Sequence, residues 1–423
     1  MKPKSPPQNS TRNAPGPGNS LGSRILLCLS GLCLLLPTGT SHAAGLIASD
    51  GAADDNLGYS VSQSGNIGLV GARSKTVGGI PFRGAAYVYR NLHTAAGTVT
   101  QNVKLTASDG ALYDFFGSSV SQSGSIGLVG AFGKAVGGRY QQGAAYVFRN
   151  LNVATGTVTQ NVKLIASDGA VSDQLGWSVS QSGNTGLVGA AWAIASQGSA
   201  YVYRNLHTAA GTVSQNVKLT ATDGAADDFF GWSVSLSGNI GLVGTQSVQG
   251  RAYVFRNLDT VTGTVTQNVT LTPSDVATNG YYDYFGSAVS QSGNIGLVGA
   301  WGKTVGENVW QGSAYVYRNL DTATGTVTQN VRLTASDGAA YDSFGVAVSQ
   351  SGNIGLVGAA NDTVGAHTDQ GSAYVFRNLD TATGTVTQIK VETSVARRPP
   401  RRSRRAELPH RAPQECAQVE LRS

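Results

Sequence analysis

Paired aspartates recur along the chain: Asp50 with Asp55, Asp109 with Asp114, Asp168 with Asp173, Asp223 with Asp228, and Asp337 with Asp342, while Asp275 and Asp283 form a wider pair. Two carboxylates on one short loop can begin a site for a hard cation such as Ca²⁺, which takes six to eight oxygens and accepts loop carbonyls for the remainder. The competing chemistry is local. Asp-Gly favours a turn, and the second carboxylate can accept the N–H groups of that turn. Because the pair recurs whatever its neighbours, the turn is the simpler reading, and Ca²⁺ is the one cofactor the residues bring into question.

A second candidate chemistry is stacking. Trp192, Trp301 and Trp310 lie in or beside segments of variable length; such rings can stack on a sugar or anchor a protein partner, although packing between blades is their more common use. Nucleophilic catalysis finds no footing. His93 and His207 occupy one repeated position that holds Asn152, Asp259, Asp321 or Asp380 elsewhere, and His367 is isolated. The many serines recur at strand and turn positions without a base assigned to any of them, so the expectation is a protein that is not an enzyme.

The elements that must position these residues follow from internal repetition. Six copies begin at Leu46, Leu105, Leu164, Leu219, Leu271 and Leu333. In the second copy the pattern predicts four strands: Ser118 to Gln122, Ile126 to Ala131, Ala144 to Arg149, and Thr157 to Leu164. The Ile-Gly-Leu-Val-Gly-Ala run suits a strand buried on both faces, and the alternation of Val158, Gln160, Val162 and Leu164 suits an outer strand with one wet face. Length varies between the second and third strands, which assigns that loop to a rim. Gly117 permits a tight strand entrance, while Gly127 and Gly130 let neighbouring sheets approach. Sheets this thin, repeated radially, protect their edges best as the blades of a propeller.

These residues resemble the FG-GAP repeat family, the blade type of the integrin α-subunit head and of many bacterial surface proteins. The resemblance rests on Phe116-Gly117, Phe230-Gly231, Phe285-Gly286 and Phe344-Gly345, with Leu57-Gly58 and Leu175-Gly176 as weaker copies. It rests equally on Val129-Gly130-Ala131 and its counterparts, each followed by an Ala-Tyr-Val-Tyr/Phe run. The resemblance implies an all-β β-propeller of six four-stranded blades, or of seven from which one is lost, over residues 44–388. It also implies an extracellular interaction module. Many relatives carry an Asp-x-Asp-x-Asp-Gly calcium loop between the second and third strands; here the equivalents begin Arg73-Ser74-Lys75, Phe132-Gly133-Lys134 and Trp301-Gly302-Lys303, and only Asn361-Asp362 with Asp369 comes close.

Charge and targeting complete the reading. The formal charge of +6 belongs to the ends: residues 1–43 carry four basic residues and no acid, residues 389–423 carry nine basic against four acidic, and the body is net negative. That argues against a nucleic-acid partner. The three cysteines, Cys28, Cys33 and Cys416, also lie outside the body, which therefore holds together without disulfides. Ile25 to Leu36 is a short apolar run after Arg24, followed by Ser41-His42-Ala43, the pattern of a cleaved secretory signal and too short to span a bilayer. From Ile389 the repeat pattern breaks into an arginine-rich tail, read either as a solvated basic segment or as the product of a shifted frame that has removed a blade or an anchor. The expected protein is thus secreted or displayed at the surface, without a membrane span, binding an extracellular protein through rim loops; the alternatives are a lectin that binds a glycan and a structural passenger of an envelope-anchored protein.

Overall fold

The computed structural model describes residues 44–247, 250–275 and 282–388; the expected signal segment 1–43 and the basic tail 389–423 lie outside the described residues. The first copy gives β1 (Ala44–Ile47), β2 (Leu57–Ser64), β3 (Ile67–Ala72), β4 (Ala85–Arg90), β5 (Gly97–Thr100) and β6 (Val103–Thr106). The second gives β7 (Ser119–Ser123), β8 (Ile126–Ala131), β9 (Ala144–Phe148), β10 (Gly156–Thr159) and β11 (Val162–Ile165). Later copies repeat this plan, interrupted by one short helical turn, Ala193–Ser196. The result is all-β, seven sheets in chain order, five of them complete, with the strand plan of a six-bladed β-propeller.

The expected fourth strand is two strands in two sheets. The first complete sheet runs β10-β6-β4-β3-β2, and its β6–β10 pair is parallel, Val103 facing Gly156. The chain leaves β9, adds β10 to the edge of the preceding sheet, then returns as β11 against β9, Val162 facing Val147. Gln160 and Asn161 make the crossing. Gln160 Oε1 accepts the Ser108 N–H at 2.9 Å, Asn161 Oδ1 accepts the Arg149 N–H at 2.7 Å, and the Asn161 N–H donates to the Val147 carbonyl at 2.8 Å. These bonds satisfy the backbone that the change of sheet would otherwise leave unpaired. Five sheets thereby gain a fifth strand, while β1 and β5 form a two-stranded sheet and the last copy, Phe344–Ser351, Ile354–Ala359 and Ser372–Phe376, a three-stranded one.

The core lies between successive sheets. In the third strand Ala86 and Val88 face the next copy, where they cluster with Phe116, Val120 and Tyr146, whereas Tyr87 and Tyr89 face the opposite way. Both faces are thus buried, as the unbroken apolar runs require, and each buried Val or Leu contributes about 1.5–3 kcal/mol. Close approach depends on glycine. A Cβ on Gly130 would stand 2.1 Å from the Gly176 carbonyl oxygen of the next copy, and one on Gly127 would meet Leu151 and Leu69.

Gly130→Ala is therefore expected to lower stability by more than about 2 kcal/mol, because the obstruction is backbone that cannot swing aside. Gly124→Asn, at a φ of +57° with open space around it, is expected to leave the urea midpoint nearly unchanged, since Asn tolerates the left-handed region.

Candidate functional site

One rim of the sheets, where first strands begin, second strands end and third strands begin, carries two runs of aromatic rings. Phe82 stacks on Tyr113 at 5.3 Å, Phe115 on Phe132 at 5.1 Å, and Phe132 meets Trp177 at 5.3 Å. Trp177 touches Trp232 at 4.6 Å and Trp192 at 6.4 Å, and Trp192 reaches Phe229 at 4.8 Å. A second run links Tyr282 to Tyr284 at 5.6 Å, Tyr284 to Trp301 at 4.3 Å, Trp301 to Trp310 at 5.9 Å and Trp310 to Tyr341 at 5.8 Å. Between the two runs lies a cleft of about 370 Å³ lined by Phe229, Tyr282, Tyr284 and Trp301 together with the polar side chains of Asp227, Gln246 and Ser247.

The fold places the rings by binding each rim loop to the strand entrance of the next copy. The Phe115 N–H donates to the Phe82 carbonyl at 3.0 Å and the Phe116 N–H to the Arg83 carbonyl at 3.2 Å, so loop and entrance move as one. All three tryptophans singled out from sequence lie on this rim, Trp192 in the first run, Trp301 and Trp310 in the second. Sequence reasoning missed Phe115, Phe229, Tyr282 and Tyr284, although a signal was available. The residue before each Phe/Leu-Gly step is left-handed in every copy: Asn56, Phe115, Gln174, Phe229, Tyr284 and Ser343 have φ between 50° and 60°. That conformation costs an ordinary residue about 1–2 kcal/mol and favours Asn or Gly. Aromatic residues at such a position are not there for the backbone.

The aspartates occupy the same rim, beneath the rings. In the second copy the Ala111 N–H donates to Asp114 Oδ2 at 2.7 Å, closing the turn, and Asp109 accepts from the Tyr146 hydroxyl at 2.9 Å and the Lys163 amine at 2.6 Å. The point between the two carboxylates is filled by the Lys134 amine, 3.0 Å from Asp114 and donating also to the Asp109 carbonyl. Lys75 fills the equivalent point between Asp50 and Asp55, and Lys303 that between Asp275 and Asp283. An ammonium thus stands where a cation would sit, which is why these loops begin with Lys-containing triplets. In the third copy the lysine is replaced by Ala193, and Asp168 pairs with Lys218 at 2.5 Å while Asp173 caps the Ala170 N–H at 2.7 Å. In the fourth, Asp228 caps the Ala225 N–H at 2.7 Å and Arg251 approaches Asp223 at 3.4 Å. In the sixth, Asp342 caps the Ala339 N–H at 2.6 Å, and Asp362 stands at the lysine position, where the Tyr374 hydroxyl reaches both it and Asp337 at 3.2 Å. Among the described residues no group of three or more His, Cys, Asp or Glu side chains is arranged to hold a metal ion.

Burial pushes the Asp109 carboxyl up, but the Lys163 bond, the Lys134 charge and the Tyr146 hydroxyl outweigh it and hold the group below its ordinary value of 3.8. Asp114 moves the other way, raised by burial that the Ala111 N–H and Lys134 only partly offset. A depressed carboxyl contributes stability that is present above its unfolded pKa and lost as pH falls through its folded one; a raised carboxyl does the reverse. Asp109→Asn is therefore expected to flatten the loss of melting temperature on acidification below about pH 4, and Asp114→Asn to steepen it. Lys134→Met, which leaves the Asp114 carboxylate buried without its counter-charge, is expected to cost about 3 kcal/mol in urea unfolding at neutral pH.

Six stretches of the chain, residues 40–89, 99–148, 158–203, 213–255, 265–317 and 327–376, match the FG-GAP repeat. Among solved structures the chain is similar to the crystal structure of the computationally designed Ika8 protein, with 15% identity and a TM-score of 0.45 over 80% of this chain and 75% of that one. No curated protein matches it. Each matched stretch carries the first three strands of one sheet, and on the strength of all six the chain belongs to the FG-GAP repeat family.

Proposed function

We propose that this protein is a non-enzymatic interaction module, exported to the cell surface or beyond, whose contact surface is the aromatic rim. FG-GAP repeats typically build propeller modules for interaction or adhesion, and the signal-like segment ending at Ala43 supports export. Among the described residues no helix is long and apolar enough to cross a membrane. The observation that carries the reading is the use of Phe115, Phe229 and Tyr284 at left-handed positions, a local cost tolerated where side chains serve something other than the fold. Rings held by neighbours lose little freedom when they meet a partner, the property that makes aromatic residues the anchors of interfaces.

The partner of first choice is an extracellular protein, since the rim offers several apolar anchors over successive copies rather than one deep pocket. A glycan is the second reading, favoured by the cleft between Phe229 and Trp301, where rings for a sugar face adjoin the hydrogen-bonding groups of Asp227, Gln246 and Ser247.

The test is to screen the protein against an array of extracellular-matrix proteins and a glycan array, then to repeat the screen with Phe229→Asn and Tyr284→Asn. Both variants should melt within about 3 °C of the parent, because Asn relieves the left-handed backbone while packing is lost. Binding to the selected probe should fall at least about tenfold, or roughly 1.4 kcal/mol. Probes bound equally by parent and variants would show that the rim is not the contact surface. Selection of glycans alone would establish the second reading over the first.

A further inference from the structure

The two halves of the rim hold different side chains up to solvent. The Asp-Gly turn of the second copy carries Leu112 and that of the third Val171, where the first, fourth and sixth copies have Ala53, Ala226 and Ala340. Neither larger side chain is covered: Leu112 is 50% exposed and Val171 59%. Tyr140 and Ile194, on the rim loops of the same two copies, are exposed as well. Ile194 has a φ of +53° and a ψ of +61°, a conformation that β-branched residues rarely adopt, and its side chain packs on nothing in return. The tips adjoin across the junctions. Phe82 stacks on Tyr113, next to Leu112, and the Ser172 N–H, next to Val171, donates to the Tyr140 carbonyl at 3.0 Å. Trp192, two residues before Ile194, joins the same run through Trp177 and Phe132. Exposed apolar surface on the order of several hundred Å² is at the upper limit of what a monomer carries without a use for it.

Charge separates the same halves. In the turns and rim loops of the second and third copies every carboxylate is engaged: Asp109 by Lys163 and Tyr146, Asp114 by Lys134 and the Ala111 N–H, Asp168 by Lys218, and Asp173 by the Ala170 N–H. The charge left over is the guanidinium of Arg139, exposed beside Tyr140 and with neither a hydrogen bond nor an ion pair among the described residues. On the rim of the fourth to sixth copies the charges left over are acidic. Asp227, Glu307 and Asp369 are exposed, and their carboxylates have no such partner among the described residues.

We infer that the rim of the second and third copies seats on a lipid bilayer, with Leu112, Tyr140, Val171 and Ile194 entering the boundary between headgroups and acyl chains and Arg139 meeting lipid phosphate. A bilayer suits these tips better than a protein does. Each projects singly and needs only depth, whereas an anchor in a protein interface needs a matching pocket on the partner. Aliphatic tips flanked by Tyr and Trp, with an arginine at the margin, are the composition of surfaces that lie in the membrane interface. The engaged carboxylates beneath them do not oppose an anionic headgroup, while the free Asp227, Glu307 and Asp369 would. The seat is therefore confined to one half of the rim, and the cleft between Phe229 and Trp301 stays open to the partner proposed above. The inference goes beyond that reading and uses neither Phe229 nor Tyr284.

Flotation of the full-length chain with vesicles tests it, one set made of phosphatidylcholine alone and one of phosphatidylcholine with phosphatidylglycerol. The parent should float with both, and more strongly with the second. The double variant Leu112→Glu, Val171→Glu changes exposed sites where other copies carry Ala, so it should keep the parent's melting temperature and partition at least about tenfold more weakly into either vesicle. Arg139→Gln should weaken partition into the anionic vesicles alone, by about fivefold. A parent that stays in the soluble fraction would overturn the inference. So would a double variant that floats as the parent does, since the apolar run near the N-terminus or the arginine-rich tail would then be what holds the vesicle. A double variant that loses binding to the protein array, from a parent that ignores vesicles, would assign the tips to a protein partner and overturn it equally. Array binding unchanged by Phe229→Asn and Tyr284→Asn would defeat the proposed function and leave the vesicle result standing.

Discussion

A single sheet of this protein cannot bury its own faces, and the packing of one sheet's leucine onto the next sheet's glycine is the contact on which the rest depends. A two-faced apolar strand such as β8 is stable only if something covers it on both sides, and here each cover is another copy of the same sheet. The glycines set the spacing. With a Cβ at Gly130 or Gly127 the sheets could not approach closely enough for Val, Leu and Tyr side chains to interlock.

The same constraint explains why each copy gives a strand to its predecessor. Side-chain packing alone would let one sheet slide over the next, whereas the parallel pairing of β10 with β6 fixes the register through backbone bonds. Gln160 reaches back to Ser108 and Arg149 forward to Leu206 and Ala209, so each sheet is tied to both neighbours by polar groups at its outer edge as well as by apolar groups within. Cooperation of this kind passes from copy to copy, and it places the strand entrances and rim loops of neighbouring copies in contact.

On that rim, charge and aromaticity divide the work. Carboxylates beneath the surface cap turns and are balanced by Lys75, Lys134 and Lys303, so half of the copies hold their loops by an internal ion pair. A buried pair of this type adds little net stability but is costly to break, which fixes the loop in one conformation. Above it the rings are held in place by one another, and the left-handed backbone beneath Phe115, Phe229 and Tyr284 turns the first two side chains into one run and the third into the other.

The repeat, the strand at Ile126–Ala131, the Asp-Gly turns and the rim position of the variable loops were all legible in the residues, because periodicity and turn chemistry act over a few positions. So was the role of Gly130, since a glycine inside a buried strand signals close approach. The division of the fourth strand was not legible: Val158, Gln160, Val162 and Leu164 alternate without interruption, and only the presence of a neighbouring sheet edge decides that β10 and β11 part company. Nor was the placement of Lys134 between Asp109 and Asp114, some twenty residues earlier, or the meeting of Trp192 with Phe229 across a junction. Those outcomes depend on how far apart two copies stand, a distance set by packing through space and written in no single copy.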